Sequence, residues 1–225
     1  MGVIVDQQIR KMARRCYGYG RWAAPYWFIG PEQGQIPAEK NDLNLRCEAW
    51  LHLGGAELSD CRAFHDFINY KAGRIIHEWH QERPRLQRTW KCLMLLLMAF
   101  LGRPIDNESL KTYQRDRWGS LNGETCVIEL SGLPANSFSV PRDRGLFRQE
   151  RITAICERLR TYKPALLVIY GVRTKYLWEA GGGYSPDALS QVQSTILEFT
   201  PHPSRPTRPD SYWIGRGERL RARTA

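Results

Sequence analysis

The sequence predicts an α/β domain of three layers, α/β/α, around a central and mainly parallel four-stranded sheet. Short apolar runs alternate along the chain with amphipathic segments of helical period, the pattern of a layered α/β fold. The run Leu166-Leu167-Val168-Ile169-Tyr170 is apolar without alternation, as strands covered on both faces are. The length of 225 residues, with 42% hydrophobic and 25% charged residues, suits one soluble domain with a single core.

The first predicted strand, Tyr26-Trp27-Phe28-Ile29, ends at Gly30. A helix follows in which Leu43, Cys47, Trp50 and Leu51 share a face and which Gly54-Gly55 stops. Ser59 is the expected cap of a helix that turns Phe64, Phe67 and Ile68 inward. Leu86 to Leu101 is apolar nearly all round in its second half, which predicts a central buried helix. After the turn signal Asn122-Gly123, Cys126 to Leu130 reads as the second strand. Ile152, Ile155 and Leu159 give a helix packed on a sheet, ended before Lys163-Pro164, and Leu166–Tyr170 follows as the third strand. Thr195 to Thr200 is the fourth and runs into Pro201. The core is expected over about residues 22–210, with a basic tail over 211–225 that either tracks a nucleic-acid backbone or is solvated.

Charge narrows the partners. The 33 Lys+Arg against 23 Asp+Glu leave a formal +10, which attracts polyanions, nucleic acid before membrane. The longest apolar run, Cys92 to Leu101, is about half a transmembrane helix. With no signal peptide evident, the expected location is cytoplasmic and nucleoid-associated. Cys16, Cys47, Cys61, Cys92, Cys126 and Cys156 are scattered without a CxxC and are expected reduced, as small core residues. His77 and His80 sit at i, i+3 with His65 upstream, but no third ligand stands at a standard spacing, so no metal and no cofactor are expected.

In parallel α/β sheets functional groups gather at the carboxyl ends of strands. The first strand opens onto Gly30-Pro31-Glu32-Gln33-Gly34-Gln35, where glycines permit close approach to a ligand and Glu32 can orient a water. The last opens onto Pro201-His202-Pro203-Ser204-Arg205-Pro206-Thr207-Arg208-Pro209, whose prolines stiffen the backbone around an imidazole, a hydroxyl and two guanidinium groups. Gly171, Arg173 and Lys175 follow the third strand at the start of an expected helix, a placement that suits a phosphate.

These two loops, at the ends of the first and last strands, resemble the paired signature motifs of the uracil-DNA glycosylase superfamily. His202-Pro203-Ser204 matches the second motif letter for letter, and Glu32 stands where the first often has Asp or Asn. The resemblance spans about residues 22–210. It implies a glycosylase that flips a damaged or modified base, which is uracil, another modified pyrimidine or a hypermodified phage base, and hydrolyses its N-glycosidic bond to leave an abasic site. Glu32 would orient the water and stabilise the sugar cation; His202 would stabilise the departing base anion. Gly30, Pro31, Gln33 and Phe28 would line the base pocket. Ser204, Arg205 and Arg208 would engage DNA, Arg205 as wedge or as phosphate partner. Where relatives carry an Asn that reads the pyrimidine edge, Ser131 is the equivalent here, and Asn136 a second candidate. The four cysteines of the iron–sulphur branch are absent. The protein is expected to act as a monomer on DNA. The alternatives are a DNA-binding protein that recognises abasic or modified sites without turnover, and a basic α/β protein that binds nucleotide or RNA.

Overall fold

In the computed structural model residues 2–34, 42–134, 147–171, 194–203 and 208–224 are described. Their elements run α1 (Gly2–Arg15), β1 (Gly18–Gly20), β2 (Tyr26–Gly30), α2 (Asp42–His52), β3 (Leu58–Ser59), α3 (Cys61–Ala72), α4 (Arg88–Leu101), α5 (Asn107–Asp116), β4 (Thr125–Glu129), α6 (Arg148–Tyr162), β5 (Leu166–Tyr170), β6 (Ile196–Thr200) and α7 (Asp210–Ala222). The sheet has six strands in the order β3-β1-β4-β2-β5-β6. The four expected strands form its parallel part, β4-β2-β5-β6, with Ile29 opposite Ile128 on one side and Ile169 on the other. The two additional strands extend the β4 edge, where β1 runs antiparallel to β4 and parallel to β3.

Period-two alternation divides the core. Phe28, Val127, Leu166, Val168 and Tyr170 face one side, with the apolar stripes of α1 to α5 and α7. Trp27, Ile29, Cys126, Ile128, Leu167 and Ile169 face the other, against Ile152, Ile155, Cys156 and Leu159 of α6. Helices therefore cover both faces, as the apolar strands required. Full burial of Trp27, Phe28 and Ile29 contributes about 1.5–3 kcal/mol per side chain.

Several boundaries differ from expectation for local reasons. β1 is Gly-Tyr-Gly and carries little apolar signal. Its glycines are required by proximity: a Cβ at Gly18 would lie 2.1 Å from the Val127 carbonyl oxygen, and one at Gly20 2.2 Å from that of Thr125. Asp60, not Ser59, caps α3, its carboxylate accepting from the Ala63 N–H, while Ser59 closes β3. The segment His77–His80 is loop rather than helix. The expected tail is α7, which buries Trp213, Gly217 and Leu220 against α4; a Cβ at Gly217 would meet the Leu96 carbonyl oxygen at 2.2 Å. Residues 210–222 thus belong to the core. Among the described residues, no helix is long and apolar enough to cross a membrane. All six cysteines are free thiols.

Candidate active site at the strand ends

The four parallel strands end in register at Gly30, Glu129, Tyr170 and Thr200, so the segments that follow share one edge of the sheet. The ladder continues past the strands: the Leu130 N–H donates to the Gly30 carbonyl, the Ser131 N–H to that of Pro31, and the Gly171 N–H to that of Thr200. This brings Glu32, Ser131, Gly171 and His202 to the same end of the molecule. The pairing takes up the Gly171 N–H, so that group is not the free phosphate donor the sequence suggested. Glycine is needed at 171 because φ is +94°, in the left-handed region.

A buried carboxylic acid lies at the centre. Glu129 is the last residue of β4 and 8% exposed. Its Oε1 accepts from the Tyr170 hydroxyl at 3.0 Å, and its Oε2 is buried without a hydrogen-bond partner. Burial pushes its pKa up to about 8, and the nearby Glu32 charge pushes the same way; the Tyr170 hydroxyl, Arg151 and Arg46 oppose the rise. At pH 7 the carboxyl is therefore largely protonated. Gly30 closes over it: a Cβ there would lie 2.2 Å from the Tyr170 hydroxyl and 2.5 Å from Glu129 Oε2. The Tyr170 ring in turn meets the half-buried His202 ring edge-to-face, centroids 5.7 Å apart. Glu32, Glu129, Tyr170 and His202 thus gather at the ends of β2, β4, β5 and β6, with Glu129 bonded to Tyr170, Tyr170 in ring contact with His202, and Glu32 near enough to act on Glu129 by its charge.

Two arginines hold the loops around this group. Arg46, one turn into α2, is buried and ion-paired to Asp42 at 2.7 Å. Its guanidinium donates to the Gln33 side-chain oxygen and, at 3.0 Å, to the Gly34 carbonyl, so the first motif is pinned from α2. Arg151 of α6 is 1% exposed and donates to four carbonyls, those of Glu129, Leu130, Ala13 and Cys16. It fixes the end of β4 against the end of α1, with its Cζ 4.4 Å from the Tyr17 ring centre. Among the described residues, Gln33, Arg46, Glu129, Ser131, Gly132, Tyr17, Cys16, Met12 and Phe64 line a cavity of ≈ 10 Å³, about the room that one water needs.

The remaining expected residues fall out unequally. Pro31 and Gln33 lie beside Glu32 in the motif loop. Ser131 lines the cavity, but its hydroxyl donates to the Leu133 carbonyl at 3.0 Å and accepts from the Leu133 N–H at 3.2 Å, a local turn rather than an open reader. Phe28 is not a pocket wall: it is fully buried mid-strand against Trp118, ring centres 4.9 Å apart, because its position in β2 points to the helical face. Arg208 is exposed and stacks over Tyr212 at 4.9 Å. Asn136, Arg173, Lys175, Ser204 and Arg205 lie outside the described residues.

Sequence reading missed Glu129, Tyr170, Arg46 and Arg151. Each had a signal. Glu129 is a charge inside an apolar strand, and Arg46 stands four residues after Asp42 on an apolar helix face. Arg151 precedes Ile152 on the face of α6 that meets the sheet, and Tyr170 is the polar tip of an aliphatic strand. The chain matches no family model, no curated protein and no solved structure.

Proposed function

We propose that the chain is a DNA glycosylase that hydrolyses the N-glycosidic bond of a flipped, damaged or modified base. The observation that carries the reading is the assembly of Glu32, Glu129 and His202, by way of Tyr170, at one edge of the sheet. Hydrolysis of this bond needs a group that orients water and stabilises a sugar cation, and a second that meets negative charge on the leaving base. Glu32 is the carboxylate for the first task and His202 the donor for the second. Glu129 divides labour between the two carboxyl groups. It keeps its proton near pH 7, so Glu32 faces a neutral neighbour rather than a second charge. The formal charge of +10 supports a polyanionic substrate.

A reading without turnover, binding at abasic or modified DNA, is supported by the same formal charge of +10. An alkali-cleavage assay separates the two. Duplexes carrying uracil, hypoxanthine, or 5-substituted or glucosylated pyrimidines are incubated with wild type, Glu32→Ala and His202→Ala. The enzyme reading expects strand breaks with at least one duplex, and a loss of about 10²–10³ in rate for His202→Ala. Binding with no breaks on any duplex supports the second reading instead.

A further inference from the structure

Three side chains outside the proposed active site meet in the core. Cys61 is the first residue of α3, His65 lies one turn later on the same face, and His80 comes from the loop that follows. All three are buried, at 0%, 2% and 3% exposure. Cys61 Sγ is 3.6 Å from His65 Nδ1 and 3.7 Å from His80 Nε2, and the two nitrogens are 3.3 Å apart. We propose that Cys61 Sγ, His65 Nδ1 and His80 Nε2 hold a zinc ion that fastens the loop between α3 and α4 to the core.

The triangle has the size of a coordination face. Zinc–nitrogen bonds of about 2.0–2.1 Å and a zinc–sulphur bond of about 2.3 Å, in tetrahedral array, place two nitrogens about 3.3–3.4 Å apart and nitrogen and sulphur about 3.5–3.6 Å apart. The observed edges match, and the point equidistant from the three atoms lies about 2.0 Å from each. Hydrogen bonding explains the arrangement less well. His80 Nδ1 faces the Arg115 carbonyl at 3.4 Å; a carbonyl only accepts, so the neutral ring carries its proton there and Nε2 presents a lone pair inward. His65 Nε2 meets the Tyr19 hydroxyl at 3.3 Å, which orients that ring from behind. Two protons inside the triangle, one on Sγ and one on His65 Nδ1, can serve two of its edges and leave no hydrogen bond along the third; a cation serves all three. A ring N–H given to a backbone carbonyl from outside, as at His80, is the usual support of metal-bound histidine.

The surroundings agree. Burial lowers the pKa of His65 and of His80, which keeps both in the neutral form that binds metal. Burial and the Asp60 carboxylate push the Cys61 thiol well up, so a thiolate there needs a cation beside it, which a bound metal supplies. His77 is 1% exposed, its Nε2 is buried without a hydrogen-bond partner, and its ring centre is 4.5 Å from that of His65, but it is not one of the three residues whose ligand atoms converge. Residues 73–87 form no helix or strand, and polar side chains already stitch them down. Asn69 binds the backbone of Ile76 and His77, and Gln114 that of Trp79, Arg85 and Gln87. Sequence spacing concealed the site because its third ligand is Cys61, four residues before His65, rather than another residue of the His77–His80 segment.

Metal content tests this independently of any DNA activity. Protein purified after growth with zinc should carry about one zinc per chain by mass spectrometry, and Cys61→Ser or His80→Ala less than about a tenth of that. His52→Ala, which alters a ring stacked on Phe67 away from the cluster, should keep the metal. Reconstitution with Co²⁺ should give a thiolate-to-cobalt band in the near ultraviolet and visible bands of tetrahedral strength. Should the variants fail to fold, the wild type alone decides: a chelator should remove zinc stoichiometrically and lower the melting temperature, and zinc should restore it. Folded wild type with neither bound zinc nor cobalt–thiolate absorption overturns the proposal, as do folded variants that bind metal like wild type.

Discussion

At the scale of single residues, Glu129 has the clearest consequence. Its carboxyl is pushed up from 4.5 to about 8 in the folded chain, so the native state holds a proton that the unfolded state releases between those values. Stability from this group is full below about pH 4.5 and is lost as pH rises toward 8, at about 1.4 kcal/mol per unit of difference. Glu129→Gln keeps the shape and the bond from the Tyr170 hydroxyl while it removes the titration. Melting temperatures followed from pH 5 to pH 9 should fall more steeply for wild type than for the variant; parallel curves would show that Glu129 ionises normally in the folded state. Gly30 is constrained by the same carboxyl. Gly30→Ala places a methyl on the Tyr170 hydroxyl, and a cost of about 1–3 kcal/mol in urea unfolding is expected, with displacement of the Glu129–Tyr170 pair.

At the scale of elements, arginines do the joining that loops alone cannot. Arg151 satisfies four carbonyls where α1, β4 and α6 converge. Arg151→Met fills similar space and leaves those acceptors buried, so a loss of about 3 kcal/mol or more is expected in urea unfolding; a loss under about 1 kcal/mol would mean that water replaces the guanidinium. The same scale shows what sequence could reveal. β2, β4, β5 and β6 were legible because uninterrupted apolar runs bounded by Gly, Asn-Gly or Pro have few other readings. β1 was not, since Gly-Tyr-Gly has no periodicity and forms only where β4 supplies a partner. α1, α5 and α7 were missed because their buried stripes are narrow and their exposed faces heavily charged. In α7, Trp213, Gly217 and Leu220 sit among arginines that read as a solvated tail. At the site, Glu32 and His202 were found through short motifs, whereas Glu129 and Tyr170 owe their chemistry to burial, which one-dimensional spacing does not report.

At the scale of the whole molecule, the sheet separates two tasks. Its carboxyl edge gathers Glu32, Glu129, Tyr170 and His202, while the helical face behind it carries the core and the Cys61–His65–His80 cluster. α7 closes that face over α4, and Gly217→Val should break the contact, since its Cβ would overlap the Leu96 carbonyl oxygen. A fall in stability of about 2–4 kcal/mol is expected by thermal unfolding, and an unchanged melting temperature would show that α7 is dispensable to the core. Cleavage of the N-glycosidic bond is what sets a glycosylase apart from a DNA-binding protein, so the decisive measurement is release of free base from the panel of modified duplexes, separated by chromatography and identified by mass spectrometry. Wild type should release one free base and leave an abasic site in equal amount, and release should be lost when Glu32 and His202 are both replaced by alanine. No free base from any duplex, or equal release by that double variant, would contradict the glycosylase reading.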